Sequence, residues 1–229
     1  MERLGQGLRA LVIGSSGGIG SALQSALAST PQIAEVTGLS RSGDGLDVTD
    51  ETAVAHAAGR LSGEFQVIVV ASGGLNVGEH GPEKTIRDVG ADGLHTLFAL
   101  NAVGPALCLK HFHDFLPRDR PSFFGVLSAR VGSVEDNRLG GWTSYRAAKA
   151  AVNQIIHTTA IEIARKRPQA VVAALHPGTV QTDLTAKYLG RHKSVTPAEA
   201  AENLVRVMGE LTPSDTGGFY DWRGDRVPW

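Results

Sequence analysis

Short apolar runs alternate with helical patterns along the chain, and this alternation restricts the possible folds more than any other feature. The runs at 9–13, 35–39, 66–71, 122–127, 170–175 and 218–220 have the length and composition of buried strands. Helical patterns lie between them, at 19–29, 92–115, 144–165 and 197–210. Apolar strands that alternate with helices are typical of a parallel sheet covered on both faces. The sequence therefore predicts a doubly wound α/β sheet, and no linker or repeat divides residues 1–229 into more than one domain.

Charge and cysteine content limit the classes of partner. The 22 lysines and arginines nearly balance the 23 aspartates and glutamates, so net charge gives no reason to expect nucleic acid or an anionic membrane. No apolar run approaches the roughly 18 residues of a membrane-spanning helix. Cys108 is the single cysteine, which excludes an intramolecular disulfide and fits a reducing compartment. We therefore expect a cytoplasmic protein that acts on a small molecule.

A glycine-rich loop follows the first predicted strand and opens the first predicted helix. Glycines permit the tight turn and the close approach of a pyrophosphate. The helix N-terminus adds free N–H groups and the positive end of its dipole. The pattern predicts a dinucleotide site, with phosphate contacts from Gly14, Ser15, Ser16, Gly18, Ile19 and Gly20.

The end of the second predicted strand distinguishes NADP(H) from NAD(H). An acidic residue at this point accepts from the ribose 2′-hydroxyl of NAD, whereas an arginine suits the 2′-phosphate of NADP. The sequence there is Ser40-Arg41-Ser42, a guanidinium between two hydroxyls. Asp44 follows one step too late for the acidic role. NADP(H) is therefore favoured over NAD(H).

Two further segments are predicted to contact the cofactor. Asp47 and Val48 are expected to follow a third short strand and to cap the adenine. Ala71, Ser72 and Gly73 end the next strand, where small residues let the cofactor pass close to the backbone.

Tyr145 and Lys149 stand four residues apart at the start of a predicted helix, so both project from one face. A phenol with a pKa of about 10 is a poor acid or base at neutral pH. A neighbouring ammonium group stabilises the phenolate and lowers that pKa. The pair predicts proton transfer between Tyr145 and a carbonyl or alcohol oxygen, tuned by Lys149.

The chain resembles the short-chain dehydrogenase/reductase family over its whole length. The resemblance rests on the glycine loop, Asp47, Asn101, the Tyr145–Lys149 pair and the segment that begins Pro177-Gly178. It implies a Rossmann fold, a hydride-transfer reaction and a water held by Asn101 that is linked to Lys149. It also implies that the segment fixes the nicotinamide carboxamide, through Pro177, Gly178, Val180 and Thr182.

Longer strings resemble one branch of this family, the C-factor-like proteins and sniffer-type carbonyl reductases. These are the strings at 128–133 and 137–142 and the closing Pro228-Trp229. The resemblance implies a homodimer or homotetramer that pairs through the helices at 92–115 and 144–165. The stretch 186–195 is the expected substrate lid.

The catalytic serine of the family has no clear counterpart. Its usual position, the second of a serine pair, is Ala129 here, after Ser128. Ser133 or Ser128 could supply the hydroxyl, or Tyr145 alone could polarise the carbonyl. We favour Ser133, because side chains alternate along a strand and Ser128 should face away from the site that Ala129 faces.

Two functions are compatible with these motifs. The first is an NADP(H)-dependent oxidoreductase that interconverts a carbonyl and an alcohol. The alternative is a nucleotide-binding regulatory or signalling protein with weak or lost catalysis, which the missing serine favours. Retention of Asn101, Tyr145 and Lys149 favours the enzyme. No metal site is predicted.

Overall fold

The computed structural model describes residues 1–182, 185 and 194–229. The predicted lid at 186–195 lies outside these residues except for Ser194 and Val195.

In the part of the chain that the structure describes, six parallel strands form one sheet in the order β2-β1-β3-β4-β5-β6. The strands are β1 (Leu8–Ile13), β2 (Ile33–Leu39), β3 (Val67–Val70), β4 (Ser122–Leu127), β5 (Ala170–His176) and β6 (Phe219–Asp221). The strands β3 and β4 are buried throughout, which explains their unbroken apolar runs.

Helices connect the strands and cover both faces of the sheet. They are α1 (Gly18–Ala28), α2 (Arg41–Asp44), α3 (Glu51–Gly59), α4 (Ala91–Phe98), α5 (Gly104–Phe112), α6 (Thr143–Ala164) and α7 (Pro197–Glu210). One core joins the sheet to α3, α5 and α6. A second core joins the opposite face to α1 and α7. The predicted doubly wound α/β fold is confirmed.

The expected third strand before Asp47 is wrong. The chain forms the one-turn helix α2 there, and Gly45 ends it in a left-handed conformation with φ of 68°. Ser40 caps this turn, because its Oγ accepts from the Gly43 N–H at 2.9 Å. Asp47 then accepts from both the N–H and the hydroxyl of Thr49. These local side-chain bonds favour a turn over a strand.

The long helix expected at 92–115 is interrupted. A π-helical turn, Ala99–Val103, separates α4 from α5. Pro105 follows it and has no N–H to continue the ladder of hydrogen bonds. Such turns inside helices are frequent at functional sites, and this one contains Asn101.

Candidate active site

The order of the strands creates a switch point between β1 and β3. The chain passes from β1 to β2 on one side and then returns to place β3 on the other side of β1. Ligands of open α/β sheets bind outside the carboxyl ends of the strands at such a point. The loops after β1 and β3 meet there, because a Cβ on Gly14 would lie 2.8 Å from the backbone N of Ser72.

A cavity of about 630 Å³ opens along the carboxyl ends of β3, β4 and β5. The stretches 71–75, 127–131, 136–140 and 176–180 contribute to its wall. The predicted site residues in the wall are Tyr145, Lys149, Ser128, Ile19, Ala71, Ser72, Gly73, Pro177, Gly178, Val180 and Thr182.

The remaining predicted cofactor residues follow β1 and β2 at the same edge of the sheet, outside this wall. They are Gly14, Ser15, Ser16, Gly18, Gly20, Ser40, Arg41, Ser42, Asp47 and Val48. The N–H groups of Gly14 and Ser15 both donate to the carbonyl of Leu39, at 2.8 and 3.1 Å, which joins the glycine loop to the end of β2.

The glycine loop needs glycine at two positions for steric reasons. Gly14 has φ of +87°, in the region that favours glycine. A Cβ on Gly20 would lie 2.1 Å from the carbonyl oxygen of Gly14. A Cβ on Gly14 would meet the backbone N of Ser72, and a Cβ on Gly20 would meet the backbone of Gly14. Because both clashes involve backbone atoms, no rotation of a side chain relieves them. The loop therefore folds tightly against the start of α1, as a phosphate cradle requires.

The strand β2 is followed by Ser40, the N-cap of α2, and then by Arg41, which is charged and exposed. The Asp44 carboxylate turns back and accepts from the N–H of Ser40 at 2.8 Å. Hydrogen bonds from Thr49 lower the pKa of Asp47, and the positive charge of Arg41 lowers it further. The charges of Arg41 and Asp47 therefore interact, after the end of β2.

Two buried polar atoms in the cavity wall have no hydrogen-bond partner among the described residues. They are Ser72 Oγ, after β3, and His176 Nδ1, at the end of β5. Burial lowers the pKa of His176 to about 4, so the ring is neutral at physiological pH. Buried polar groups without partners are rare in folded proteins, and a cavity wall is where a bound ligand can satisfy them.

Tyr145 and Lys149 meet in the cavity, as the helical spacing predicts. The Lys149 Nζ lies 5.8 Å from the centroid of the Tyr145 ring and donates to the carbonyl of Leu127 at 3.1 Å. Tyr145 is 8% exposed and Lys149 is 4% exposed. Burial raises the pKa of Tyr145 and lowers that of Lys149 to about 8. Burial therefore raises the pKa of Tyr145 by more than the charge of Lys149 lowers it.

Asn101 lies beside this pair. A Cβ on Gly73 would be 3.2 Å from Asn101 Oδ1 and 3.4 Å from Lys149 Nζ. The Asn101 side chain accepts from the Gly74 N–H at 3.1 Å and donates to the Gly74 carbonyl at 2.8 Å. The π-helical turn thus fixes Asn101 against the loop after β3.

The two candidate serines occupy different environments. Ser128 is part of the cavity wall, and its Oγ donates to Asn153 Oδ1 at 2.6 Å. Ser133 is 2% exposed, is not part of the wall, and its Oγ accepts from the Asp136 N–H at 3.0 Å. The structure therefore brings Ser128, but not Ser133, to the cavity that contains Tyr145.

Glu83 stabilises the start of α6 beside Tyr145, a role that the sequence motifs did not indicate. Its carboxylate accepts from the N–H of Ser144 at 3.1 Å and from the Ser144 hydroxyl, at the start of α6. Its backbone carbonyl accepts from the Trp142 N–H at 2.6 Å. Trp142 has a left-handed backbone, and its ring meets the Tyr145 ring edge-on with centroids 6.3 Å apart. The contact spans 61 residues of sequence, so no local pattern could have revealed it.

Neither a metal centre nor a membrane span is found in the described ranges. No group of three or more histidine, cysteine, aspartate or glutamate side chains is arranged to hold a metal ion among them. No helix within them has the length and apolar character to cross a bilayer.

Comparison with known proteins gives consistent matches over most of the chain. A model of the family described as Enoyl-(Acyl carrier protein) reductase matches residues 22–220. The 1-hydroxy-2-glutathionyl-2-methyl-3-butene dehydrogenase of Rhodococcus sp. (strain AD45) is 30% identical over 188 residues, 81% of this chain and 79% of that protein. The C-signal protein of Myxococcus xanthus is 31% identical over 156 residues, 67% of this chain and 89% of that protein.

Solved structures share the fold almost from end to end. The NADPH-bound carbonyl reductase from chicken fatty liver has a TM-score of 0.82 at 22% identity, with 98% of this chain and 95% of that chain covered. The carbonyl reductase Sniffer of D. melanogaster has a TM-score of 0.80 at 19% identity, with 98% of this chain and 100% of that chain covered.

Proposed function

The chain belongs to the short-chain dehydrogenase/reductase family, and we propose that it is an NADP(H)-dependent oxidoreductase that interconverts a carbonyl and an alcohol on a small molecule. The observation that carries the proposal is that Lys149 lies beside the Tyr145 ring and, with Asn101, next to Gly73 in the loop after β3. A homodimer or homotetramer and a cytoplasmic location remain predictions.

The cavity and the neighbouring loops after β1 and β2 together suit the parts of NADP(H). The glycine loop and the start of α1 suit the pyrophosphate, and Arg41 suits the 2′-phosphate. Ser72 Oγ and His176 Nδ1 have no hydrogen-bond partner among the described residues, and they offer polar contacts in the cavity that contains Tyr145. A Cβ on Gly18 would lie 2.9 Å from the Thr182 methyl group, so the segment after β5 reaches the start of α1. The chicken carbonyl reductase of the same fold is a complex with NADPH, which supports this choice.

Tyr145 is proposed as the proton donor and Lys149 as the group that tunes it. The cofactor supplies the hydride to the carbonyl carbon. Burial keeps the Tyr145 phenol protonated at neutral pH, which is the form that gives a proton to a carbonyl oxygen. Lys149 lies close enough to stabilise the phenolate left behind. Asn101 bonds to the backbone of Gly74 in the loop after β3, and it is proposed as a member of a proton relay.

Ser128 is the serine that the cavity geometry favours. A hydroxyl has a single hydrogen to donate, and Ser128 gives it to Asn153 Oδ1. The buried Asn153 Nδ2 has no partner among the described residues. Turning the Asn153 amide by 180° would let Nδ2 donate to Ser128 Oγ. The Ser128 hydrogen would then be available to a substrate carbonyl. Without this turn, Tyr145 alone polarises the carbonyl.

The test is a titration of the purified protein with NADPH and NADH, followed by cofactor oxidation with a panel of aldehydes, ketones and quinones. We expect tighter binding of NADPH than of NADH, and turnover of at least one carbonyl compound. The Arg41→Gln variant should lose most of the NADPH preference, because the 2′-phosphate loses its cation. Preference of the wild type for NADH would contradict the assignment of Arg41.

The regulatory alternative is supported by two observations. The M. xanthus relative is named C-signal, and Ser128 holds its only hydrogen away from the substrate space. Tight NADPH binding without turnover of any carbonyl compound would favour this second function. The cluster of Tyr145, Lys149 and Asn101 argues for the enzyme, because a protein that only binds a nucleotide has little need of a buried proton donor.

A further inference from the structure

The cavity wall around Tyr145 contains more cationic than anionic side chains. Among its described residues, Arg130, Arg138, Arg146 and Lys149 are the lysines and arginines, and Asp136 is the one carboxylate. A cleft lined mainly by one sign of charge concentrates its field and attracts ligands of the opposite sign.

Arg130 does not contribute free charge to this wall. Its Nε lies 2.6 Å from Asp136 Oδ2. The hydrogen bond to Asp136 raises the pKa of Arg130, and the charges of Asp221 and Asp225 raise it further. The positive charge of Arg130 is therefore compensated within the protein.

Arg146 follows Tyr145, and within the part of the chain that the structure describes it bonds only to neutral oxygens. Its Nε donates to the Gly141 carbonyl at 2.9 Å and its Nη1 donates to the Val131 carbonyl at 3.2 Å. Burial lowers the pKa of Arg146, and no carboxylate of the described ranges counters that effect. A partly buried guanidinium without a counter-charge costs free energy that a bound anion would offset.

Arg138 also forms no ion pair with the described residues, although its charge helps to lower the pKa of Asp136. Its Nη1 donates to the carbonyl oxygens of Glu135 and Asn137, and its side chain is exposed. Asp136 is already paired with Arg130. Arg138 can therefore turn toward an anion in the cavity without breaking an ion pair of its own.

We propose that the substrate carries a carboxylate, bound by Arg138 and Arg146, in the same cavity where its reacting carbonyl lies beside Tyr145. This inference rests on the proposed function and names its substrate class. The planar guanidinium forks match the two oxygens of a carboxylate. Leu75, Leu139 and Trp142 in the same wall offer apolar surface to the carbon skeleton between the two groups.

The experiment compares two aldehydes that differ in one charge, 4-formylbenzoate and its methyl ester, with NADPH as reductant. We expect kcat/KM to favour the carboxylate by about tenfold or more, as a charge-assisted hydrogen bond implies. Raising the salt from about 0.1 M to about 1 M shortens the Debye length from about 10 Å to about 3 Å and should reduce the preference. Equal kcat/KM for the two aldehydes, or a preference for the ester, would overturn the inference.

Variants locate the carboxylate site. Arg138→Gln should lose most of the preference with little change in kcat/KM for the ester, and Arg146→Gln should lose it as well. Arg118→Gln removes the same charge from an exposed position outside the cavity wall and should keep the preference. If Arg146→Gln does not fold, Arg138→Gln and the salt dependence decide. A full preference in Arg138→Gln would overturn the assignment of that residue.

Binding separates this inference from the proposed function. If neither these aldehydes nor any compound of the carbonyl panel is reduced, the reductase proposal fails while the carboxylate site can still be tested. Both aldehydes are then titrated against the NADPH-loaded protein, with tryptophan fluorescence as the readout because Trp142 lines the cavity. Tighter binding of the carboxylate, lost in Arg138→Gln, would support the site. Equal binding would overturn it.

Discussion

Tyr145 and Lys149 are both almost fully buried, and burial shifts their pKa values in opposite directions. The phenol stays protonated, whereas the ammonium group loses its proton near pH 8 in the folded chain. Each shift disfavours the charged form of the group, since the surroundings solvate charge poorly. Burial of the two groups therefore costs free energy, which the packing of the rest of the fold offsets.

This cost predicts a pH-dependent stability in the absence of nucleotide. The unfolded chain keeps the Lys149 proton up to about pH 10.5, while the folded chain releases it near pH 8. The unfolded state thus binds more protons in this window, so the free energy of unfolding should rise with pH. We expect a gain of about 1 to 2 kcal/mol between pH 7.5 and pH 9.5.

Urea denaturation at the two pH values measures this gain, and Lys149→Met is the matched control. The variant should show little of the rise, because it has no proton to release. An equal rise in wild type and variant would assign the effect to other groups.

The serines give a second prediction at this scale. Ser128→Ala should lower kcat/KM for carbonyl reduction by about 10- to 100-fold if the hydroxyl supports the carbonyl oxygen. Ser133→Ala should leave kcat/KM nearly unchanged, because Ser133 is not part of the cavity wall and its hydroxyl accepts from the Asp136 N–H. Steady-state kinetics of both variants with one substrate measure these two changes in kcat/KM. The reverse ranking would restore the choice that the sequence alone favoured.

The first turns of α6 contain Tyr145 and Lys149. Trp142, immediately before the helix, has φ of 57°, a conformation that costs a non-glycine residue free energy. Glu83 holds this start through the Trp142 N–H and the Ser144 N–H and hydroxyl. Burial alone would raise the pKa of Glu83, but the hydrogen bonds from Ser144 bring it below its usual value. An ionised carboxylate at a helix N-terminus is also favoured by the helix dipole.

Glu83→Gln should therefore weaken the position of Tyr145 without removing it. We expect a loss of about 1 kcal/mol in stability, as for other helix caps, and a fall in kcat with little change in NADPH affinity. Thermal unfolding, kinetics and NADPH titration measure the three quantities. Glu79→Gln, in the same loop and exposed, is the control. A change in NADPH affinity as large as the change in kcat would contradict a positioning role.

Much of the fold was predictable at the level of elements. The predicted bounds of β4 and α7 agree with the structure, because apolar periodicity and the Thr196-Pro197 start are local signals. The turn at α2 was misread, since its stability comes from side-chain bonds of Ser40 and Asp44 rather than from periodicity. The positions of Ser128 and Ser133 relative to the cavity depend on how the chain bends after β4, which alternation along a strand does not describe.

At the scale of the whole molecule, two exposed apolar residues bear on the predicted assembly. Val103 is 47% exposed at the end of the π-helical turn, and Ile161 is 50% exposed on α6. Both belong to the stretches through which the family resemblance implies that subunits pair. Removal of this apolar surface from water would favour association.

Replacing both residues with glutamate should shift the protein to monomers, because paired subunits would bury like charges. Light scattering coupled to size-exclusion chromatography measures the mass. The double variant of Ile86 and Val134 with glutamate is the control, since both are exposed apolar residues outside these stretches. A monomeric wild type would contradict the predicted dimer or tetramer, and an unchanged mass in the Val103/Ile161 variant would contradict the interface.

The most direct test of the proposed reaction is the rate of NADPH-dependent carbonyl reduction by Tyr145→Phe, measured beside its affinity for NADPH. Loss of a positioned general acid predicts a rate lower by a factor of about 100 to 10,000. NADPH affinity should stay close to that of the wild type, because the phenyl ring preserves the packing against Trp142. A variant that reduces the carbonyl as fast as the wild type would contradict the assignment of Tyr145 as the proton donor.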